Sequence, residues 1–154
     1  MCALLREVGS GRRGSAPETI TVLSGDVHHA YLAQVGFPPG SGVESAVWQA
    51  VCSPFRNPLD KNERRAILGA WTPAAERVTR VLARAAGVAS PPVDWRLIHD
   101  EPWFNNQVGW IELDGPRARF QLEKALPEQS QAGRVRMETV FDRPIEPNRK
   151  FART

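Results

Sequence analysis

Residues 21–35 read TVLSGDVHHAYLAQV, and this stretch decides the fold that we expect for the chain. A β-branched apolar run closed by Ser-Gly predicts a buried strand over residues 19–25. A second apolar run predicts another strand over residues 30–37. An aspartate and two histidines lie between the two runs, so we expect them on a loop at the carboxyl end of the first strand.

The aspartate and the first histidine of this loop are candidate metal ligands. Alternate residues of an extended chain face the same way, so Asp26 and His28 can converge on one point while His29 points elsewhere. A carboxylate oxygen and an imidazole nitrogen together suit Zn²⁺, Mn²⁺ or Fe. Folds of the α/β class place their sites at the carboxyl ends of strands. The alternative is structural: Asp26 caps a turn and the histidine packs beside it.

The remaining pattern predicts an α/β chain with a mostly antiparallel C-terminal sheet. The N-terminal residues favour an amphipathic helix, residues 44–53 a third strand, and residues 61–71 and 73–87 two helices. One apolar stripe runs along the last helix. Alternation then predicts strands near 108–113, 117–123 and 134–141. The helix stripe is Val78, Val81, Leu82 and Ala85, and the strand residues expected to face the core are Ile111, Leu113, Ala118, Phe120, Leu122, Val135, Met137, Thr139 and Phe141.

Composition narrows the classes of function. The 154 residues suffice for one domain with a core, and 42% of them are apolar. The net charge is +3 and the basic residues are scattered, so we expect no nucleic-acid-binding module. Two cysteines do not form a disulfide framework. We find no signal peptide and no spanning helix, and we expect no membrane association.

Three segments carry a resemblance to a known family. They are LSGDVHHAYLAQV (23–35), VWQAVCSPFRNPL (47–59) and PWFNNQVGWIELDGPRARFQLEKA (102–125). In this order and spacing they resemble the C-terminal part of a PhoD-like phosphatase, a member of the metallophosphoesterase superfamily. The resemblance spans residues from about 3 to 125. It implies the C-terminal portion of a metallophosphoesterase-like α/β sandwich over residues 1–142, with residues 143–154 as a loose tail.

Metallophosphoesterases hold their metals with five motifs: Asp-x-His, Gly-Asp-x-x-Asp, Gly-Asn-His, a lone His, and a final Gly-His-x-His. By resemblance, Gly-Asp-Val-His corresponds to the last motif, with Asp26 in place of its first histidine. That departure leaves Asp26 as a ligand or as a group that orients one. Asp26-Val27-His28 is also a literal Asp-x-His, but no Gly-Asn-His follows it in the chain.

The resemblance implies hydrolysis of a phosphoester substrate by two metal ions, which polarise the phosphoryl oxygens and generate a hydroxide. The metals would be divalent or trivalent ions of Fe, Mn, Zn or Ca. His28 would be a ligand. His29 would donate a hydrogen bond to substrate or to a ligand, or would be a packed strand residue. Arg56 and Asn57 would reach the phosphate, or would belong to a turn between two prolines.

The other metal motifs are absent from the 154 residues, and the N-terminal helix begins at residue 1. We therefore expect a C-terminal fragment that is inactive alone and binds metal only in the complete protein. We also expect self-association through an unpaired sheet edge. Localisation stays open, because any export signal would lie upstream. The alternative is a non-catalytic α/β interaction or remnant domain without metal. Under either interpretation we expect His99-Asp100-Glu101, which lies in a proline-rich connection, to be a turn.

Overall fold

The structure is a computed structural model that describes residues 1–25, 28–53, 59–115, 117–127 and 135–147. The described residues combine helices with two sheets, as predicted, and the C-terminal sheet is antiparallel. In chain order the elements are α1 (Cys2–Gly9), β1 (Thr19–Ser24), β2 (Tyr31–Gly36), β3 (Ala46–Val51), α2 (Lys61–Ala70), α3 (Pro73–Ala85), β4 (Asp94–Leu97), β5 (Gln107–Asp114), β6 (Arg117–Pro127) and β7 (Val135–Ile145).

The first sheet has the strand order β1-β3-β2-β4. β1 pairs with β3 in parallel, whereas β2 is antiparallel to both β3 and β4. The parallel register ends with Ser24 opposite Val51. Because both strands run in the same direction, their carboxyl ends lie side by side, and the segments that follow them leave the sheet at the same end. The predicted arrangement, with β1 and β2 flanking the loop that carries His28, is confirmed.

The second sheet is the predicted hairpin extended by one strand, in the order β5-β6-β7. The register of β5 and β6 closes with Asp114 opposite Arg117. Gly115 has a positive φ of 56° in the connection. An L side chain rarely adopts this conformation, which is why the Asp-Gly pair predicted the hairpin correctly.

The two sheets share one hydrophobic core. Leu32 and Trp48 from the first sheet pack in the same cluster as Phe120, Leu122 and Ile145 from the second. The opposite face of the first sheet is covered by α1, whose Leu5 packs against a smaller cluster around Val35, Val47 and Val93. The first sheet is thus covered on both faces, which explains the nearly continuous apolar run of β3.

The prediction of core-facing residues in the second sheet is confirmed near its middle and wrong at its ends. Ala118, Phe120 and Leu122 are buried, but Leu113 is 73% exposed, and Val135 and Met137 are exposed as well. β6 and β7 shift register at a bulge between Leu122 and Glu123. Beyond this bulge none of the described residues of β6 and β7 belongs to the core cluster, so alternation there does not correspond to burial.

The prediction of a helix is confirmed by α3, but its apolar stripe is not a buried surface in the structure. Thr72 caps the helix by accepting a hydrogen bond from the Ala75 amide, and Pro73 is its first residue. The stripe formed by Val78, Val81 and Leu82 is nevertheless exposed. A helical period shows which face is apolar, but it does not say whether a partner covers that face.

Two features near the sheet edges were not predicted. The short strand β4 lies in the proline-rich connection, where four residues give too little pattern to detect. β7 continues to Ile145, a buried core residue, so the sheet extends into the segment predicted as a tail. Residues 148–154 of that segment lie outside the described residues. None of the described helices is long and apolar enough to span a membrane.

β1 is an edge strand among the described strands, and its Leu23 is 65% exposed. An edge with free backbone groups and an apolar side chain favours pairing with another chain. We therefore expect the 154-residue chain to self-associate, and Leu23→Lys to reduce that association, as measured by analytical ultracentrifugation. A monodisperse wild-type monomer with a cooperative melt above about 60 °C would contradict the prediction.

Candidate functional site

The backbone at His28 is unusual. Its φ is 58°, in the left-handed region that non-glycine residues seldom occupy. Such conformations cost on the order of 1 kcal/mol or more, and they persist where the surrounding structure holds them, often at functional sites. The candidate ligand therefore has a sharply turned backbone and lies four residues after Ser24, the last residue of β1.

The next residues hold this turn in place. The Ala30 amide donates to the Trp103 carbonyl at 2.8 Å, and the Trp103 amide donates back to the Ala30 carbonyl at 3.0 Å. Ala30 is completely buried. This pair of backbone hydrogen bonds ties the residue that follows His29 to the segment that leads into β5.

The other predicted site residues come shortly after the carboxyl ends of β1 and β3 along the chain. The Cys52 amide donates to the Ser24 carbonyl at 3.2 Å, so the ends of β1 and β3 are joined. A Cβ at Gly25 would lie 3.3 Å from the Cys52 carbonyl oxygen, so the glycine permits this close approach. Asp26 follows Gly25, and Arg56 and Asn57 follow Ser53; these three candidates lie outside the described residues.

His29 is surrounded by aromatic rings. Its ring centroid lies 5.6 Å from that of Tyr31, 5.4 Å from that of Trp71 and 6.2 Å from that of Phe104. Ring pairs at these distances contribute packing energy beyond simple burial. The geometry supports the packed role of His29, and its catalytic role stays a prediction.

The sequence did not indicate that Tyr31, Trp71 and Phe104 would form a wall beside the histidine loop. Trp71 comes from the end of α2, and its centroid lies 5.6 Å from that of Tyr31. Burial raises the pKa of the Tyr31 phenol, which therefore stays protonated at neutral pH. The Arg64 guanidinium of α2 lies 4.7 Å from the Phe104 centroid, so α2 is held against this wall.

His99 is a structural residue rather than part of a plain turn. Its Nε2 accepts a hydrogen bond from the Leu32 amide at 3.2 Å, and the Glu101 carbonyl accepts one from Nδ1. Because the amide can only donate, Nε2 must be unprotonated and Nδ1 must carry the proton. Burial lowers the pKa of His99, although the Glu101 carbonyl and the Asp100 charge oppose this shift. Both ring nitrogens are used, so His99 is not available as a metal ligand.

The lowered pKa of His99 makes the free energy of unfolding depend on pH. Above the unfolded pKa of about 6.5 the ring is neutral in both states. As the pH falls from there to the lowered folded pKa, the unfolded chain binds a proton that the folded chain does not. We therefore expect the free energy of unfolding to fall over this window.

Urea denaturation at a series of pH values measures this effect, with His99→Gln as the matched variant. The variant should lose this part of the pH dependence. If the free energy of unfolding changed with pH equally in the wild type and in His99→Gln, His99 would not be the group responsible.

The described residues do not complete a metal site. No group of three or more His, Cys, Asp or Glu side chains able to hold an ion occurs among them. Cys52, near the same edge, has its thiol pKa raised by burial, an effect partly opposed by a hydrogen bond with the Gly109 backbone. A thiol kept protonated in this way is a poor ligand. Even with Asp26, the loop offers fewer protein ligands than the three of a catalytic zinc site.

Comparison of the chain with protein-family models, with curated proteins and with solved structures finds no match.

Proposed function

We propose that the chain is the C-terminal part of a metal-dependent phosphoester hydrolase of the PhoD-like type. On this proposal its fold is the C-terminal portion of a metallophosphoesterase-like α/β sandwich. The chain supplies one ligand-bearing loop, and the remaining metal motifs belong to a segment upstream. The Fe, Mn, Zn or Ca ions are then bound only when both parts are present.

One observation carries the proposal. His28, in a left-handed backbone conformation, follows the end of β1 at the edge where parallel β1 and β3 both terminate. Ligand sites of α/β proteins occur at the carboxyl ends of such strands. The order of the three resembling segments is an independent support from the sequence.

The chain's own contribution would be to position residues rather than to complete the chemistry. The paired hydrogen bonds between Ala30 and Trp103 fix the loop that presents His28. The rings of Tyr31, Trp71 and Phe104 pack against His29, the residue that follows His28. Rigid support of this kind is what a ligand needs to be held in a productive geometry.

The alternative proposal is a non-catalytic interaction or remnant domain that keeps the shape without the metals. The incomplete ligand set among the described residues favours it. The two proposals differ in the upstream coding sequence: the hydrolase requires Asp-x-His and Gly-Asn-His in frame before Met1, and the remnant does not.

Activity measurements test the hydrolase proposal. We call the 154-residue chain preceded by that upstream segment the extended protein. The extended protein should hydrolyse an aryl phosphate when Mn²⁺, Zn²⁺, Fe or Ca²⁺ is added, and the 154-residue chain alone should not, because two ligands hold metal weakly. Metal-dependent turnover by the short chain, or none by the extended protein, would contradict the proposal.

A further inference from the structure

A second feature of the molecule lies away from the histidine loop, in an open cleft of about 480 Å³ between the two sheets. Arg96 of β4 and Arg143 of β7 line it from opposite sheets, together with Gln34, Trp48 and Glu146. β4 and β7 are edge strands of their sheets. The cleft therefore opens where the sandwiched sheets end.

Strand register shows that both arginines are on inner faces. Gln34 lies opposite both Trp48 and Arg96, which places Arg96 in the same cross-strand row as the core residue Trp48. Arg143 lies opposite Phe120, another core residue. Each arginine thus occupies a position of the core-facing row, but both residues are exposed because these positions lie on edge strands beside the open cleft.

Neither guanidinium has an ion-pair partner among the residues that the structure describes. The two nearest carboxylates in sequence are already engaged, since Asp94 pairs with Arg80 and Asp142 with Arg119. Glu146 lines the cleft but forms no ion pair with either arginine in the described structure. Two positive groups and one negative group therefore face one cavity, which leaves an excess positive charge.

We propose that this cleft binds a phosphate group, either inorganic phosphate or a small phosphomonoester. Packed sheets are about 10 Å apart, so long side chains from the two faces can reach one anion between them. The planar fork of each guanidinium matches the oxygens of a phosphate. The volume lies within the range of small-molecule sites and leaves room for a substituent on the phosphate.

The Trp48 indole connects the two sheets at this cleft. Its Nε1 donates to the Glu146 carbonyl at 3.3 Å, which ties the end of β7 to the first sheet. Both partners of this bond line the cleft. None of the residues that line the cleft belongs to the histidine loop, so the proposal for this site does not rest on the proposed hydrolase function.

Equilibrium dialysis of the 154-residue chain with radiolabelled inorganic phosphate, at low ionic strength and with EDTA, tests the proposal. Dialysis is suited to a chain that self-associates. The variants are Arg96→Gln and Arg143→Gln, and the matched control is Arg77→Gln on exposed α3, which removes the same charge elsewhere. Glu146→Gln is the opposite test, because it removes the one negative group. Circular dichroism confirms that each variant is folded.

Phosphate should bind the wild-type chain and the control equally. Each cleft-arginine variant should weaken binding at least about tenfold, as expected for loss of a charge-assisted hydrogen bond, and Glu146→Gln should strengthen it. Equal binding by all four variants, or no binding by the wild type, would overturn the proposal. Acetate that displaces phosphate at an equal concentration would overturn the assignment to phosphate in favour of carboxylates.

Discussion

In the extended protein, His28→Ala is expected to lower kcat/KM for an aryl phosphate by more than about a hundredfold. This loss exceeds that for residues which merely support a ligand, whose removal typically costs about ten- to a hundredfold. The substitution removes an imidazole from the segment between β1 and β2 and leaves the sequence of both strands unaltered. Alanine keeps the Cβ that makes a φ of 58° unfavourable, so the backbone strain at this position is about the same in the variant. A phosphatase assay with added metal measures the effect.

His99→Ala is the matched control, since it deletes the same side chain from a residue outside the candidate site. It should destabilise the fold by about 1–3 kcal/mol, because the Leu32 amide loses its acceptor. The activity of the folded protein should stay nearly intact. Full activity of the His28→Ala variant, or an equal loss in both variants at a temperature where both are folded, would refute the site assignment.

The second large effect concerns the core shared by the sheets. Leu122 is completely buried in that core, and Leu122→Ala should lower the free energy of unfolding by about 2–5 kcal/mol. Leu113→Ala deletes the same atoms from a side chain that is 73% exposed, and it should change stability by less than about 0.5 kcal/mol. Urea denaturation of both variants measures the difference.

The comparison between these two leucines is informative because the alternation of the sequence places both on the core-facing side. If Leu113→Ala destabilised the chain as much as Leu122→Ala, the two sheets would have to overlap along the whole hairpin. Equal and small effects would instead contradict the packing of the second sheet on the first.

Most strands and helices could be predicted from local pattern. The apolar run ending at Ser24-Gly25 and the alternation around Phe120 each correspond to a strand in the structure. The sequence pattern could not show how far along each helix or strand the apolar face would be buried. Leu82, Met137 and Leu113 all follow the period of a buried face, yet each is exposed, because burial depends on what lies opposite in three dimensions.

The candidate site was likewise predictable only in its local features. The sequence indicated that His28 would follow a strand end, because the residues between two strand patterns must form a loop. It could not indicate that His29 would meet Trp71, since the two lie in different elements and no local period links them. His99 shows the converse. An apparent cluster with Asp100 and Glu101 is explained by one ring bonded to Leu32 and Glu101, a contact invisible from spacing.

Metal content of the purified extended protein tests the central proposal most directly. With both parts present, we expect about two metal ions per chain (Fe, Mn, Zn or Ca), as dinuclear phosphoesterase chemistry requires, and a loss of at least one of them in His28→Ala. Elemental analysis by mass spectrometry after gel filtration gives this number without reference to any substrate. An extended protein that carries no metal, or a His28→Ala variant that keeps the full complement, would contradict the account.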